Sequence, residues 1–111
     1  MIKINDIEYK ELIKIDDPGH GWLRVPRHLI VRANIAHEIS GFSYIDNVYV
    51  YLEEDCDAAL FLDKVDYESL GFNTVAMLIN HIDTLYQDPT FVRDLPGYSL
   101  VKLNSKELIH E

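Results

Sequence analysis

The apolar and polar positions along the chain divide it into short segments. Residues 2–15 alternate loosely through Ile2, Ile4, Tyr9, Ile13 and Ile15, with Asn5-Asp6 as a turn candidate, and predict one or two strands. Asp16-Asp17-Pro18-Gly19 is a turn signal. Residues 21–25 predict a strand with Trp22 and Arg24 on one face and Leu23 and Val25 on the other, since strand side chains alternate. Pro26 suits the first turn of a helix, where its missing N–H would have no partner anyway. Leu29, Ile30 and Ala33 then share a helical face, and Asn34 can take the left-handed position that ends it after about two turns. Residues 39–44 and 48–53 predict a hairpin around Ile45-Asp46-Asn47, with Phe42 and Tyr44 alternating with Ser43, and Val48 and Val50 alternating with Tyr49 and Tyr51.

Helical spacing takes over in the second half. A helix is predicted from Glu54-Asp55 to about Val65, with Ala58, Phe61, Leu62 and Val65 on its apolar side and Asp55 or Glu54 able to cap it. Beyond Gly71, the positions Val75, Leu78, Ile79, Ile82, Leu85 and Tyr86 predict a longer helix over about residues 73–86. Pro96-Gly97 is a turn, residues 98–103 predict a closing strand, and residues 105–111 a frayed helical turn. Together these predict a single α+β domain over residues 1–111, a small antiparallel sheet of four to five strands with two or three helices packed on one face.

Composition adds a compartment and a charge map. With one cysteine, Cys56, no intrachain disulfide can form, and no apolar run approaches the ~20 residues of a membrane span. The first residues have no apolar h-region, so a cytoplasmic protein without a membrane role is expected. The net charge is -9, and residues 53–111 carry twelve acidic side chains against four basic ones. Such a surface repels phosphate backbones and attracts basic ones, which disfavours direct nucleic-acid binding and favours a basic protein partner.

Two constellations could carry chemistry. Tyr51-Leu52-Glu53-Glu54-Asp55-Cys56-Asp57 sets four carboxylates at a strand-to-helix junction. Oxygen ligands suit Mg²⁺ or Ca²⁺, and a bound metal could activate water, so a metal-dependent hydrolase using Glu53, Glu54, Asp55 and Asp57 is one alternative. Helix capping explains the same residues more simply, and the spacing fits no EF-hand. The second constellation is Gly19-His20-Gly21-Trp22-Leu23-Arg24, in which flanking glycines expose His20 as a potential base. A turn entering a strand, with Trp22 buried, explains the same residues more simply. The histidines show no zinc-site pairing, no phosphate loop or nucleotide fingerprint is present, and no cofactor is expected. Cys56 lies near a helix start but between two acids, and core packing suits it better than nucleophilic work. The tyrosines of the hairpin offer an edge on which two copies could pair as a homodimer.

Three segments share a further likeness: Gly19-His20-Gly21-Trp22-Leu23-Arg24-Val25-Pro26, then Ile39-Ser40-Gly41-Phe42-Ser43-Tyr44, then Tyr51-Leu52-Glu53-Glu54-Asp55-Cys56-Asp57 with Phe61-Leu62. Over roughly residues 16–65 the chain resembles a group of short bacterial, phage and plasmid proteins of unknown function. The resemblance implies an accessory protein of mobile elements and transfers no catalytic residue. Small acidic proteins in that setting often block host machinery, including defence nucleases. The expected function is therefore an acidic interaction protein, a phage-type inhibitor docking on a basic nucleic-acid-handling partner. Its candidate surface is Glu53, Glu54, Asp55, Asp57, Asp63, Asp66, Glu68, Tyr49 and Tyr51, with His20, Trp22 and Arg24 as motif residues.

Overall fold

The computed structural model of the chain describes residues 10–105. β1 (Ile13–Asp16) pairs antiparallel with β2 (Gly21–Pro26), setting Ile15 opposite Trp22 and Asp16 opposite Gly21. β2 pairs on its other side with β4 (Tyr49–Glu53), and β4 with the two-residue β3 (Tyr44–Ile45). The fifth strand, β5 (Asp83–Tyr86), runs parallel to β1, and the order across the sheet is β3-β4-β2-β1-β5.

The fold is α+β, with a mixed sheet in place of the wholly antiparallel one expected. The difference lies in residues 73–86. Their helix is only α3 (Val75–Asn80), which Thr74 caps by accepting from the Met77 N–H. It closes with N–H bonds from His81 to Leu78 O and from Ile82 to Ile79 O, the tight i→i−3 pattern of a helix end. The backbone groups along the outer side of β1 need partners, and the residues after α3 supply them as a parallel strand, continued by Gln87 N–H to Asp16 O at 2.8 Å.

The two faces of the sheet are covered unequally. Leu23, Val25, Val50 and Leu52 belong to the main core with Leu29 and Ile30 of α1 (Arg27–Arg32), Ala58 and Phe61 of α2 (Asp57–Lys64), Leu78 of α3 and Leu103 of α4 (Leu100–Asn104). Burying Phe61 completely contributes about 2–3 kcal/mol on its own. On the opposite face Ile15, Trp22 and Tyr51 pack with Val92 of a 3₁₀ helix (Phe91–Asp94). The alternation expected within 21–25 is therefore realised, with Trp22 turned away from Leu23 and Val25. Arg24 lies on the tryptophan side, its guanidinium 4.1 Å from the centre of the Tyr49 ring. Asn34 takes φ 61° just past α1, the left-handed conformation expected of it.

Two expected strands shrink. Of residues 39–44 only Tyr44 is strand, because Ser40 and Ser43 turn inward to a buried carboxylate described below. Residues 98–103 hold no strand: a single bridge at Gly97 precedes them, and from Leu100 they form α4, capped by Ser99, whose hydroxyl accepts from the Lys102 N–H. Of the one or two strands expected over residues 2–15, the part before residue 10 lies outside the described residues, as do residues 106–111 of the helical turn expected over 105–111.

Candidate functional site

The acidic run at the β4–α2 junction points in three directions. Glu53 accepts from the N–H groups of Cys56 and Asp57 with the same oxygen, so this residue, and neither Glu54 nor Asp55, caps α2. Asp57 is 3% exposed, and its Oδ2 accepts from Ser40 N–H at 3.0 Å, Ser40 Oγ at 2.7 Å and Ser43 Oγ at 2.6 Å. The Ser43 hydroxyl oxygen in turn accepts from the Glu53 N–H. Asp57 thus bolts the 36–43 loop to the start of α2, and it joins two of the three motif segments. Glu54 and Asp55 remain exposed. A hydrolase built on the four carboxylates loses its ligand set, since one caps, one is buried on serines and two face solvent. Among the described residues no group of three or more His, Cys, Asp or Glu converges to hold a metal ion. Asp57 also leaves the candidate interaction surface, because a buried carboxylate cannot meet a partner.

The glycine-histidine segment builds a second cluster. Arg93 grips Asp17 with Nε at 2.7 Å and Nη2 at 3.2 Å, and the Asp17 carboxylate also accepts from the N–H groups of Gly19 and His20. The Arg93 hydrogen bond leads these in holding the Asp17 carboxyl down at about 2, against the opposing effect of burial. The same pairing raises Arg93. Nη2 of Arg93 lies 2.8 Å from His20 Nδ1; a guanidinium only donates, so Nδ1 accepts and the ring proton sits on Nε2. His20 stacks on Trp22 with centroids 6.1 Å apart, and Arg93 lies 5.4 Å from the Trp22 ring centre. Trp22 is buried and His20 exposed. His20 is thereby held, exposed, as part of a turn clamp.

The tyrosines of β4 are also engaged. Tyr51 is 3% exposed and donates to Asp46 Oδ2, and burial with this bond raises its phenol. Tyr51 therefore leaves the candidate surface as well. Tyr49 is half-buried and donates to Glu11 Oε1, which raises its phenol too. The hairpin edge expected to pair two copies is closed by the chain itself: Ile45 N–H bonds Pro96 O and Tyr98 N–H bonds Ser43 O.

The opposite margin of the sheet was not legible as a site. All four residues of β5 are exposed, with Leu85 at 43% and Tyr86 at 61%. Beside it runs a groove of about 370 Å³, lined by Leu23, Ala58, Ala59, Leu62, Ile79 and Ile82, with Lys14, Glu54 and Thr84 as its polar members. A shallower, polar hollow of about 360 Å³ adjoins it, sharing Lys14 and Glu54 and adding Asp16 and Tyr86. Lys14 Nζ sits 2.7 Å from Asp16 and 4.0 Å from Glu54. These side chains lie over Gly21, where a Cβ would stand 2.5 Å from Asp16 Oδ1 and 2.7 Å from Glu54 Oε1.

Charge is partitioned between inside and outside. Arg24 donates to Glu11 O, Arg27 to the carbonyls of Asn47, Lys102 and Ser105, Lys102 to Gly97 O, and Arg93 to Asp17. Among the described residues Asp55, Asp66, Glu68, Asp83, Asp88 and Asp94 are exposed and have no basic side chain at ion-pair distance. No helix of the described residues is long and apolar enough to cross a membrane. No protein-family model, curated protein or solved structure matches the chain.

Proposed function

We propose that this chain is an interaction protein that presents an acidic surface to a basic, nucleic-acid-handling protein and blocks it. The observation that carries this reading is the partition of charge. Most basic side chains are spent on the chain's own carbonyls and carboxylates, while Asp55, Asp63, Asp66 and Glu68 stand exposed along and after α2. Seven of the nine residues expected on the surface keep some exposure in this form: Glu54, Asp55, Asp63, Asp66, Glu68 and, half-buried, Glu53 and Tyr49. Such a field accelerates encounter with a basic surface and competes with phosphate for it.

The test is capture of partners from host lysate by the wild-type chain and by the triple variant Asp55→Lys, Asp63→Lys, Glu68→Lys. A nucleic-acid-handling protein retained by the wild type, lost at high salt and not retained by the variant is the expected result. Capture that ignores both salt and charge reversal defeats the reading. Because the three positions are exposed, the variant should keep the wild-type circular dichroism spectrum and melting behaviour.

A further inference from the structure

The surface just described says what charge a partner carries; the β5 margin says how a segment of it would be held. In β5 the backbone groups alternate between the β1 side and the outer side. Gln87 N–H points to Asp16 O, so Leu85 and Asp83, two and four residues back, also address β1. The N–H and C=O groups of Thr84 and Tyr86 therefore point outward. Among the described residues nothing pairs with that side, because β5 ends the strand order. Exposed edges of this kind take up extended segments.

Side chains alternate in the same way. Thr84 and Tyr86 face the helical side, where Thr84 shares the apolar groove with Ile79 and Ile82. Asp83 and Leu85 face the other side, and Asp83 has no basic partner among the described residues. Lys14, the cation of the groove, is already bonded to Asp16 and lies near Glu54. A segment added to β5 thus meets apolar surface with one set of alternate side chains and carboxylate with the other.

We infer that the outer edge of β5 is a strand-addition site for an extended partner segment in which apolar residues alternate with lysine or arginine. The apolar set lies in the Ile79–Ile82 groove and the basic set against Asp83. A second copy fits less well, since each copy brings a net charge of -9 to the contact. The inference rests on the acidic-partner reading and adds the place and the backbone geometry.

The experiment uses the full chain and a synthetic peptide of alternating lysine and leucine, followed by amide NMR. At low salt the peptide should shift the Thr84 and Tyr86 amides and slow their exchange, and high salt should release it. Edge pairing uses one alternate set of peptide N–H groups. Of two peptides N-methylated at either set, one should bind like the parent and the other lose at least about tenfold in affinity. Thr84→Pro, which deletes an outward N–H, should show the same loss while leaving amide shifts away from β5 unchanged. Equal binding by both methylated peptides, or shifts confined to the exposed acids of α2, overturns the edge mode and leaves the acidic-surface reading standing. Absence of any peptide binding overturns the edge mode too, and the charge-reversed capture then decides the broader reading by itself. A concentration-dependent dimer that protects the Thr84 and Tyr86 amides without peptide assigns the edge to a second copy and likewise overturns the inference.

Discussion

The two ends of the sheet solve the same problem in opposite ways. At one end β3 is two residues long, and its outer side is closed by the chain: Ile45 N–H to Pro96 O at 3.0 Å, Tyr98 N–H to Ser43 O at 2.8 Å, and a bridge from Tyr44 to Gly97. The closing segment is itself secured, by Lys102 Nζ on Gly97 O and by the Tyr98 hydroxyl on Ala36 O. At the other end β5 is a full four residues, exposed throughout, with no strand beyond it among the described residues. A short edge with a covering loop prevents unwanted pairing, whereas a longer bare edge invites it. The chain spends buried hydrogen bonds on one edge and leaves acidic and aromatic residues on the other, which separates a closed end from an open one.

The largest effect should come from breaking the closed end. Asp57 is the acceptor for three donors, two of them from Ser40 and one from Ser43. Asp57→Ala strands those donors in a buried site, and the expected loss is about 3 kcal/mol of unfolding free energy. Urea denaturation gives the number. A loss below about 1 kcal/mol would mean that the loop is held by its apolar contacts, Ile39 and Ile45 above all, and that the carboxylate is incidental.

That network also shows where the sequence was readable and where it was not. The alternation of Trp22-Leu23-Arg24-Val25 gave both sheet faces correctly, because β2 is central and each face has its own cluster. Pro26 and Asn34 marked the limits of α1, since proline and a positive φ are local constraints. Adjacent carboxylates could not be told apart, because neighbouring residues at a strand-to-helix corner point in unrelated directions; only the fold sends Asp57 inward to the serines. The β5 strand was hidden by spacing. Val75, Leu78, Ile82 and Leu85 continue a helical pattern, yet the requirement of β1 for a backbone partner outweighs it. Ser99 is a usable cap signal for α4, but Tyr98, Val101 and Leu103 suit a strand equally well.

An intermediate effect is expected at the Asp17–Arg93 clamp, which fastens the β1–β2 turn to the 3₁₀ helix. The folded-state carboxyl lies near 2, below an unfolded value of about 3.9. Its contribution is present above the unfolded value and is lost as pH falls from about 4 toward about 2. Stability measured across that window should decline in the wild type, and Arg93→Gln should flatten the decline, because the main cause of the lowered pKa is gone. An unchanged acid limb in the variant would place the sensitivity in other carboxylates. Amide exchange at low pH sharpens the comparison of the two ends: the turn beside β1 should loosen before the Pro96–Tyr98 closure does.

The smallest effect on stability is expected at the open end. Tyr86 is 61% exposed, and its side chain borders the polar hollow shared with Lys14, Asp16 and Glu54. Tyr86→Lys removes little buried area, and a lysine on an edge strand is a familiar guard against pairing, so unfolding free energy should change by less than about 0.5 kcal/mol. Its effect on association should be opposite in kind. The new cation repels a basic segment at the edge, and capture of the lysine–leucine peptide should weaken while the melt stays put. If Tyr86→Lys instead destabilised the fold as Asp57→Ala does, β5 would be an integral closing strand of the domain, and the division between a closed stability end and an open end proposed to bind would fail.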